Sequence, residues 1–168
     1  MRAFALIFAI VANLALADGL VKEFAAKTLQ GSAALSVIPG LFNLAYVENR
    51  GCAWGLFQGQ VWPLAVFAIA AFALLVWKRK TVFAVPERCP APRFARIALD
   101  WAERLLYAGI VGNLLDRLVR GYVIDMFDWH IGIHHFPCFN LADTYITVAA
   151  GLMLLVGFLP GRKAGAAN

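Results

Sequence analysis

Two aspartates eighteen positions apart carry the chemistry open to this chain. Asp125 stands in the stretch YVIDMFD, framed by Val123, Ile124, Met126 and Phe127, and Asp143 stands in FNLADTYI at the head of an apolar run. Apolar neighbours desolvate a carboxylate and raise its proton affinity. Two carboxylates brought together share a proton, so one can draw a proton from water while the other gives one to a leaving amine. Spacing alone also allows a plainer arrangement, in which Asp143 hydrogen-bonds within a helix bundle and Asp125 is a loop acid.

The elements that must position these acids follow from composition. The chain has 168 residues, 62% hydrophobic and 15% charged, with a mean hydropathy of +0.72. That is too little polar surface to cover a soluble globule, and a membrane protein is implied. A span needs roughly 20 mostly apolar residues as helix, because lipid offers backbone groups no partners. Four stretches qualify, at about residues 3–21, 61–77, 97–115 and 140–160. The third carries Asp100, Glu103 and Arg104 in its first half, charges expected to snorkel to the surface or to face other helices. The expected fold is an all-α membrane protein, one domain of four transmembrane helices with a small β-rich outer element.

Orientation follows from Lys and Arg in short flanking segments. Threading four spans puts Arg2, then Lys78, Arg79, Lys80, Arg88, Arg93 and Arg96, then Arg162 and Lys163 on one side, which is therefore cytoplasmic. The smaller set Lys22, Lys27, Arg50, Arg117 and Arg120 falls outside. Outer loops at 22–60 and 116–139, a cytoplasmic connector at 78–96 and a tail at 161–168 complete the layout, with both termini cytoplasmic. Residues 1–19 also have the basic start, apolar core and small-x-small ALA of a secretory signal peptide, but a single Arg and no following soluble domain favour a retained span. The net charge of +5 sorts by membrane side and forms no stripe, which argues against nucleic acid as a partner.

Polar groups gather at the outer helix ends. Asn140, Asp143, Thr144 and Thr147 share one face of the fourth helix, and Asn113, Asp116, Arg117 and Arg120 recur at three- and four-residue steps in the third. Asp116 and Arg120 are placed to pair, and Arg117 can point inward. YVIDMFD alternates as a strand does, so Asp128, a rival at helical spacing, should face away from Asp125. The stretch LFNLAYVENRGCAWGLF reads as a hairpin turning at Asn49-Arg50-Gly51 and lying on the outer membrane face.

Other clusters have plainer readings. His130, His134, His135 and Cys138 imitate a metal site, yet imidazoles among aromatic and aliphatic residues generally pack or hydrogen-bond, and neither metal nor cofactor is expected. Cys52 and Cys138 both fall on the outer side, where a disulfide between them is allowed, whereas Cys89 should be a cytoplasmic thiol. Gly109 and Gly112 suit close packing inside the bundle better than a dimer contact.

ENRGCAWGLF, GNLLDRLVRGYVIDMFD and HFPCFNLADTYI, in this order among four spans, resemble the lipoprotein signal peptidases, or signal peptidase II. ADGLVK is similar to an Asp-x-x-x-Lys pattern at the outer end of that family's first helix, which makes Asp18 and Lys22 a structural polar pair. The resemblance implies an intramembrane aspartic endopeptidase of the bacterial cytoplasmic membrane, with its site at the outer face. It would remove the signal peptide from diacylglyceryl-modified prolipoproteins, on the amino side of the lipidated cysteine. The catalytic pair falls on Asp125 and Asp143. Asn113, Asp116, Arg117 and Asn140 match residues that shape the site and hold substrate backbone, and Asn49 and Gly51 match an outer-loop motif. Implied partners are the prolipoprotein and membrane lipid, with the protein itself a monomer. An apolar groove between helices would take the signal peptide and acyl chains under an outer-loop lid. Cys52 and Cys138 stand where the family usually has small residues such as Ala, and Asp100, Glu103 and Arg104 are unusual in its third helix. Two other classes stay open: a small four-helix transporter or proton relay using Asp143, Asp116 and Arg117, and a noncatalytic scaffold. A relay would need polar groups through the full depth, and the second span is bare.

Overall fold

A computed structural model describes residues 2–52, 55–87, 89 and 91–159. The expected tail at 161–168 lies outside the described residues, as do Arg88, Arg162 and Lys163. The chain is mostly helical with a small antiparallel sheet. The order is α1 (Arg2–Leu29), β1 (Leu35–Ile38), β2 (Phe42–Asn49), α2 (Val61–Val82), α3 (Pro92–Val119), β3 (Val123–Ile131), β4 (His134–His135) and α4 (Leu141–Gly157). Ala5–Leu29 and Val61–Val82 are long and apolar enough to cross a membrane by length and composition, while Leu141–Gly157 is apolar but shorter.

Three helices outrun the apolar stretches that announce them, and pairing of charges explains the extension of α1 and α2. α1 continues past Val21 because the Lys22 ammonium meets the Asp18 carboxylate one turn back, at 2.7 Å. α2 runs through Lys78-Arg79-Lys80 because Arg79 grips Glu103 of α3 in a two-pronged ion pair at 2.7 and 2.9 Å. α3 starts at Pro92, where a missing N–H costs nothing. Glu103 is buried and faces α2, and Arg104 turns back on its own helix, bonding the Asp100 carbonyl and lying over the Trp101 ring.

α3 and α4 pack closely because glycine lines their contact. A Cβ on Gly109 would come within 2.5 Å of the Ala142 carbonyl oxygen, and one on Gly112 within 2.6 Å of Asp18 Oδ2. Ala95, Ala98, Ala102 and Ala149 continue this small-residue packing toward the other end, joined by Leu99, Tyr107 and Val156. The glycines thus serve the bundle interior, as their spacing suggested.

The four strands form one antiparallel sheet in sequence order. The hairpin does not turn at Asn49-Arg50-Gly51. It turns at Pro39-Gly40, where Gly40 takes φ 78° and Leu41 N–H bonds the Ile38 carbonyl at 3.0 Å. Asn49 instead ends β2: its side-chain oxygen accepts from Gly51 N–H at 2.9 Å, bending the chain out of the ladder. β2 then pairs with β3, Asn43 opposite Asp128 and Val47 opposite Asp125, with one extra β2 residue between Leu44 and Val47. The sheet rests on the C-terminal end of α1, where Ile124 and Met126 pack with Ala25 and Leu29.

Candidate active site

Two features of the fold bring Asp125 and Asp143 together. Phe139 is stitched to β3 through Met126 N–H and Phe127 N–H, at 3.0 and 2.9 Å from its carbonyl oxygen, so the next residue, Asn140, lands beside Asp125. Asn140 then caps α4: its Oδ1 accepts from Asp143 N–H at 2.9 Å, and Asp143 Oδ2 accepts from Asn140 N–H at 3.2 Å. The capping residue therefore fixes Asp143 directly.

The same Asn140 holds Asp125. Its Nδ2 donates to Asp125 Oδ1 at 2.7 Å and to Asn113 Oδ1 at 3.1 Å. Asn49, from the end of β2, donates to Asp125 Oδ2 at 3.0 Å, and Asn113 of α3 donates to Asp143 Oδ1 at 2.7 Å. Each carboxylate is thus held by two donors, and one asparagine serves both.

Behind the asparagines lies a buried charge cluster. Lys22 has no exposed surface, and Asp18 is 1% exposed. Lys22 Nζ reaches Asp18 Oδ2 at 2.7 Å, Asp116 Oδ2 at 3.1 Å and Asn113 Oδ1 at 3.0 Å. The ammonium can only donate, so Asn113 must turn its oxygen toward Lys22 and its NH₂ toward Asp143. Asp18 Oδ1 accepts from Ala142 N–H at 2.8 Å, serving one of the N-terminal donors of α4 from another helix. The Asp18–Lys22 pair therefore does more than brace α1. It sets the polarity of the amide network in front of it.

Asp116 and Arg117 have separate tasks. Asp116 is enclosed by Lys22, by Arg120 Nε at 3.0 Å and by Ile124 N–H at 3.2 Å, which ties the end of α3 to the start of β3. Arg117 donates to the Gly51 carbonyl at 3.0 Å and to the Asn113 carbonyl at 3.2 Å, joining the loop after β2 to α3. Its charge acts on both Asp143 and Asp125. All nine polar candidates, with Gly51, therefore belong to one connected network. The relay reading is not supported, since Asp116 is locked among cations and Arg117 holds a loop.

Burial pushes the Asp125 carboxyl up to about 7, helped by the charge of Asp143 and opposed by the hydrogen bonds from Asn49 and Asn140 and by Lys22. A carboxyl with that affinity near neutral pH can hold a proton beside a second acid and release it on demand. A cavity of about 170 Å³ opens on Asp125, lined also by Asn49, Cys52, Gln58 and Cys138. No disulfide joins Cys52 and Cys138.

Asp128 does not join this network. It accepts from Asn43 Nδ2 at 3.0 Å and lies 2.6 Å from His135 Nδ1. His135 in turn stacks on His130 with ring centroids 4.7 Å apart, so these imidazoles hydrogen-bond and pack as expected. Sequence reasoning missed Glu23, which pairs with Arg120 beside Asp116, and Arg79 as the partner of Glu103. A lone buried acid facing a basic run was the available signal for the second pair.

Comparison with known proteins agrees with this arrangement. The family model of signal peptidase II matches residues 10–159. A lipoprotein signal peptidase of Clostridium acetobutylicum is 37% identical over 145 residues, covering 86% of each chain. One of Fusobacterium nucleatum is 35% identical over 140 residues, 82% of this chain and 76% of the relative. Two solved bacterial membrane enzymes share the fold: one with TM-score 0.74 at 28% identity, covering 90% of this chain and 86% of its own, the other with TM-score 0.73 at 27% identity, covering 92% and 93%. The motif resemblance, the connected polar network and these relatives agree, and the chain belongs to the signal peptidase II family, a family of aspartic peptidases.

Proposed function

We propose that this chain removes signal peptides from prolipoproteins by aspartic-peptidase chemistry at Asp125 and Asp143. The observation that carries the assignment of these two residues is the Asn140 bridge, one side chain donating to Asp125 and capping the helix turn that holds Asp143. The pair holds one proton, which sits on Asp125, the carboxyl pushed up to about 7 by burial. Asp143 is then the base. It takes a proton from water as the water oxygen adds to the scissile carbonyl, while Asp125 hydrogen-bonds the carbonyl oxygen. Collapse of the adduct passes a proton to the departing amine, leaving a new carboxyl end on the signal peptide and a new amino terminus on the lipidated cysteine.

The substrate carries a diacylglyceryl group on that cysteine, and cleavage falls on its amino side. α1 to α4 all cross the membrane, α3 with Glu103 neutralised by Arg79 and α4 at a minimal length, with both termini cytoplasmic. That threading puts the dyad at the outer face, where water is available and the acyl chains can stay in lipid. Asn49, Gly51, Asn113, Asp116, Arg117 and Asn140 shape the site, Asp18 and Lys22 brace it, and the protein works as a monomer without a metal.

The test is cleavage of a diacylglyceryl-modified prolipoprotein by Asp125→Asn and Asp143→Asn variants whose membrane insertion is checked by protease protection. Both near-isosteric changes should lower turnover by at least about a thousandfold, while Glu87→Gln, an exposed acid outside the site, keeps it. Turnover near the parent rate in Asp143→Asn would end the dyad assignment.

A further inference from the structure

A second, larger cavity of about 550 Å³ lies on the sheet side of the dyad. It shares four lining residues with the cavity over Asp125, namely Val47, Gly55, Pro137 and Cys138, so the two adjoin. Its remaining wall includes Ala45, Asp128 and His135. All of these residues belong to strands or to the loops between elements, and none to α1, α2, α3 or α4.

The chemistry of this wall suits an extended main chain. Ala45 sits in the β2 bulge, where the register with β3 shifts between Leu44 and Val47, and a bulge leaves backbone groups outside the ladder. Burial pushes the Asp128 carboxyl up, but the hydrogen bonds from His135 and Asn43 outweigh it and hold it below the usual carboxylate range. An ionised Asp128 accepts from His135 Nδ1 at 2.6 Å, which puts the proton of the neutral ring on that nitrogen and leaves Nε2 as an acceptor. His130, stacked at 4.7 Å, holds the ring plane. The His135 side chain is 51% exposed, so it can meet a ligand at the cavity rim.

Resting on the function proposed above, topology leaves one segment of the substrate to fill this space. The signal peptide and the acyl chains must stay among the helices and lipid, whereas the mature polypeptide leaves toward the outer aqueous side. We propose that the sheet-side cavity is the binding site for the first few residues of the mature polypeptide, beyond the lipidated cysteine. His135, positioned by Asp128, accepts a main-chain N–H there. The ligand class is an extended peptide read through its backbone.

Two diacylglyceryl-modified substrates test this, one ending at the lipidated cysteine as an amide and one continuing for a further four mature residues. One main-chain hydrogen bond should give the longer substrate about a tenfold advantage in kcat/KM, expressed in KM. His135→Phe, which keeps a ring for His130 to stack on, should bring that ratio to about one. So should N-methylation of the two amides following the cysteine, tested with the unchanged protein in case the variant fails to insert. A ratio near one in the unchanged protein would overturn the proposal. So would an advantage that survives both changes, or a parallel loss on both substrates at constant ratio in His135→Phe with no effect of N-methylation. Failure of the unchanged protein to cut either substrate would instead overturn the function on which the proposal rests.

Discussion

Asn140 and Asp125 lie on different elements, yet the Asn140 amide donates to the Asp125 carboxylate at 2.7 Å while the same residue caps the helix that carries Asp143. One side chain therefore ties strand chemistry to helix chemistry. Asn140→Ala should lower cleavage by about a hundredfold or more through misplacement of both acids. It should also cost about 1–3 kcal/mol of stability, because buried Asn113 and Asp125 lose a partner. Turnover and detergent melting measured on one preparation check both outcomes.

A second expectation concerns pH. The charged and titratable groups that act on Asp125 are Asp143, Lys22, Arg117 and Cys138, and its carboxyl is pushed up to about 7. Above that pH Asp125 has lost its proton and has none to give, so kcat/KM should fall along an alkaline limb near 7. The Asn49 hydrogen bond favours the ionised form, so Asn49→Ala should move this limb to higher pH. A pH profile whose limb stays fixed in that variant would contradict the assignment. The folded chain binds this proton more tightly than the unfolded one. Stability should therefore fall as pH rises from the ordinary carboxylate range toward 7.

Lys22 provides a third test. It is fully buried, with Asp18 and Asp116 both on its ammonium at 2.7 and 3.1 Å. Lys22→Met would leave buried carboxylates without their central cation, a loss of about 3–5 kcal/mol. Adding Asp18→Asn should recover part of it by removing one uncompensated charge. Melting temperatures of the single and double variants in one detergent decide the matter.

Glycine positions give a fourth. Gly109→Ala would drive a methyl to 2.5 Å from the Ala142 backbone oxygen, whereas a Cβ at Gly151 meets nothing within 4 Å. Gly109→Ala should therefore cost about 1–3 kcal/mol by overpacking. Gly151→Ala should be neutral or stabilise by up to about 1 kcal/mol through helix propensity. Because Ala142 precedes Asp143, Gly109→Ala should also slow cleavage in the folded fraction, measured as turnover per correctly inserted molecule.

Much of the site was legible because its local pieces repeat at fixed spacings. Asp18 with Lys22 and Asp116 with Arg120 are four apart on helices, and both pair as that spacing dictates. YVIDMFD alternates and is a strand that separates Asp125 from Asp128. The hairpin was misread because β-branched residues and a turn tripeptide say where a strand can end, not which strand it will meet. Pro39-Gly40 supplied the turn, and Asn49 became the end of a strand that pairs with β3, its side chain donating to Asp125, 76 positions away.

The sequence by itself determined which side chains are available: two acids in apolar settings, three asparagines, a lysine and an arginine, all near helix or strand ends. It also determined the membrane class, since so few charges cannot cover a globule in water. Only the tertiary structure decided that Lys22 sits behind Asn113, that Asn113 points its NH₂ at Asp143, and that Asn140 reaches both acids. The physical reason is that a hydrogen bond needs donor and acceptor within about 3 Å and aligned. That condition depends on glycine-tight helix contacts and on a strand stitched to Phe139, relations between distant segments that no local spacing encodes.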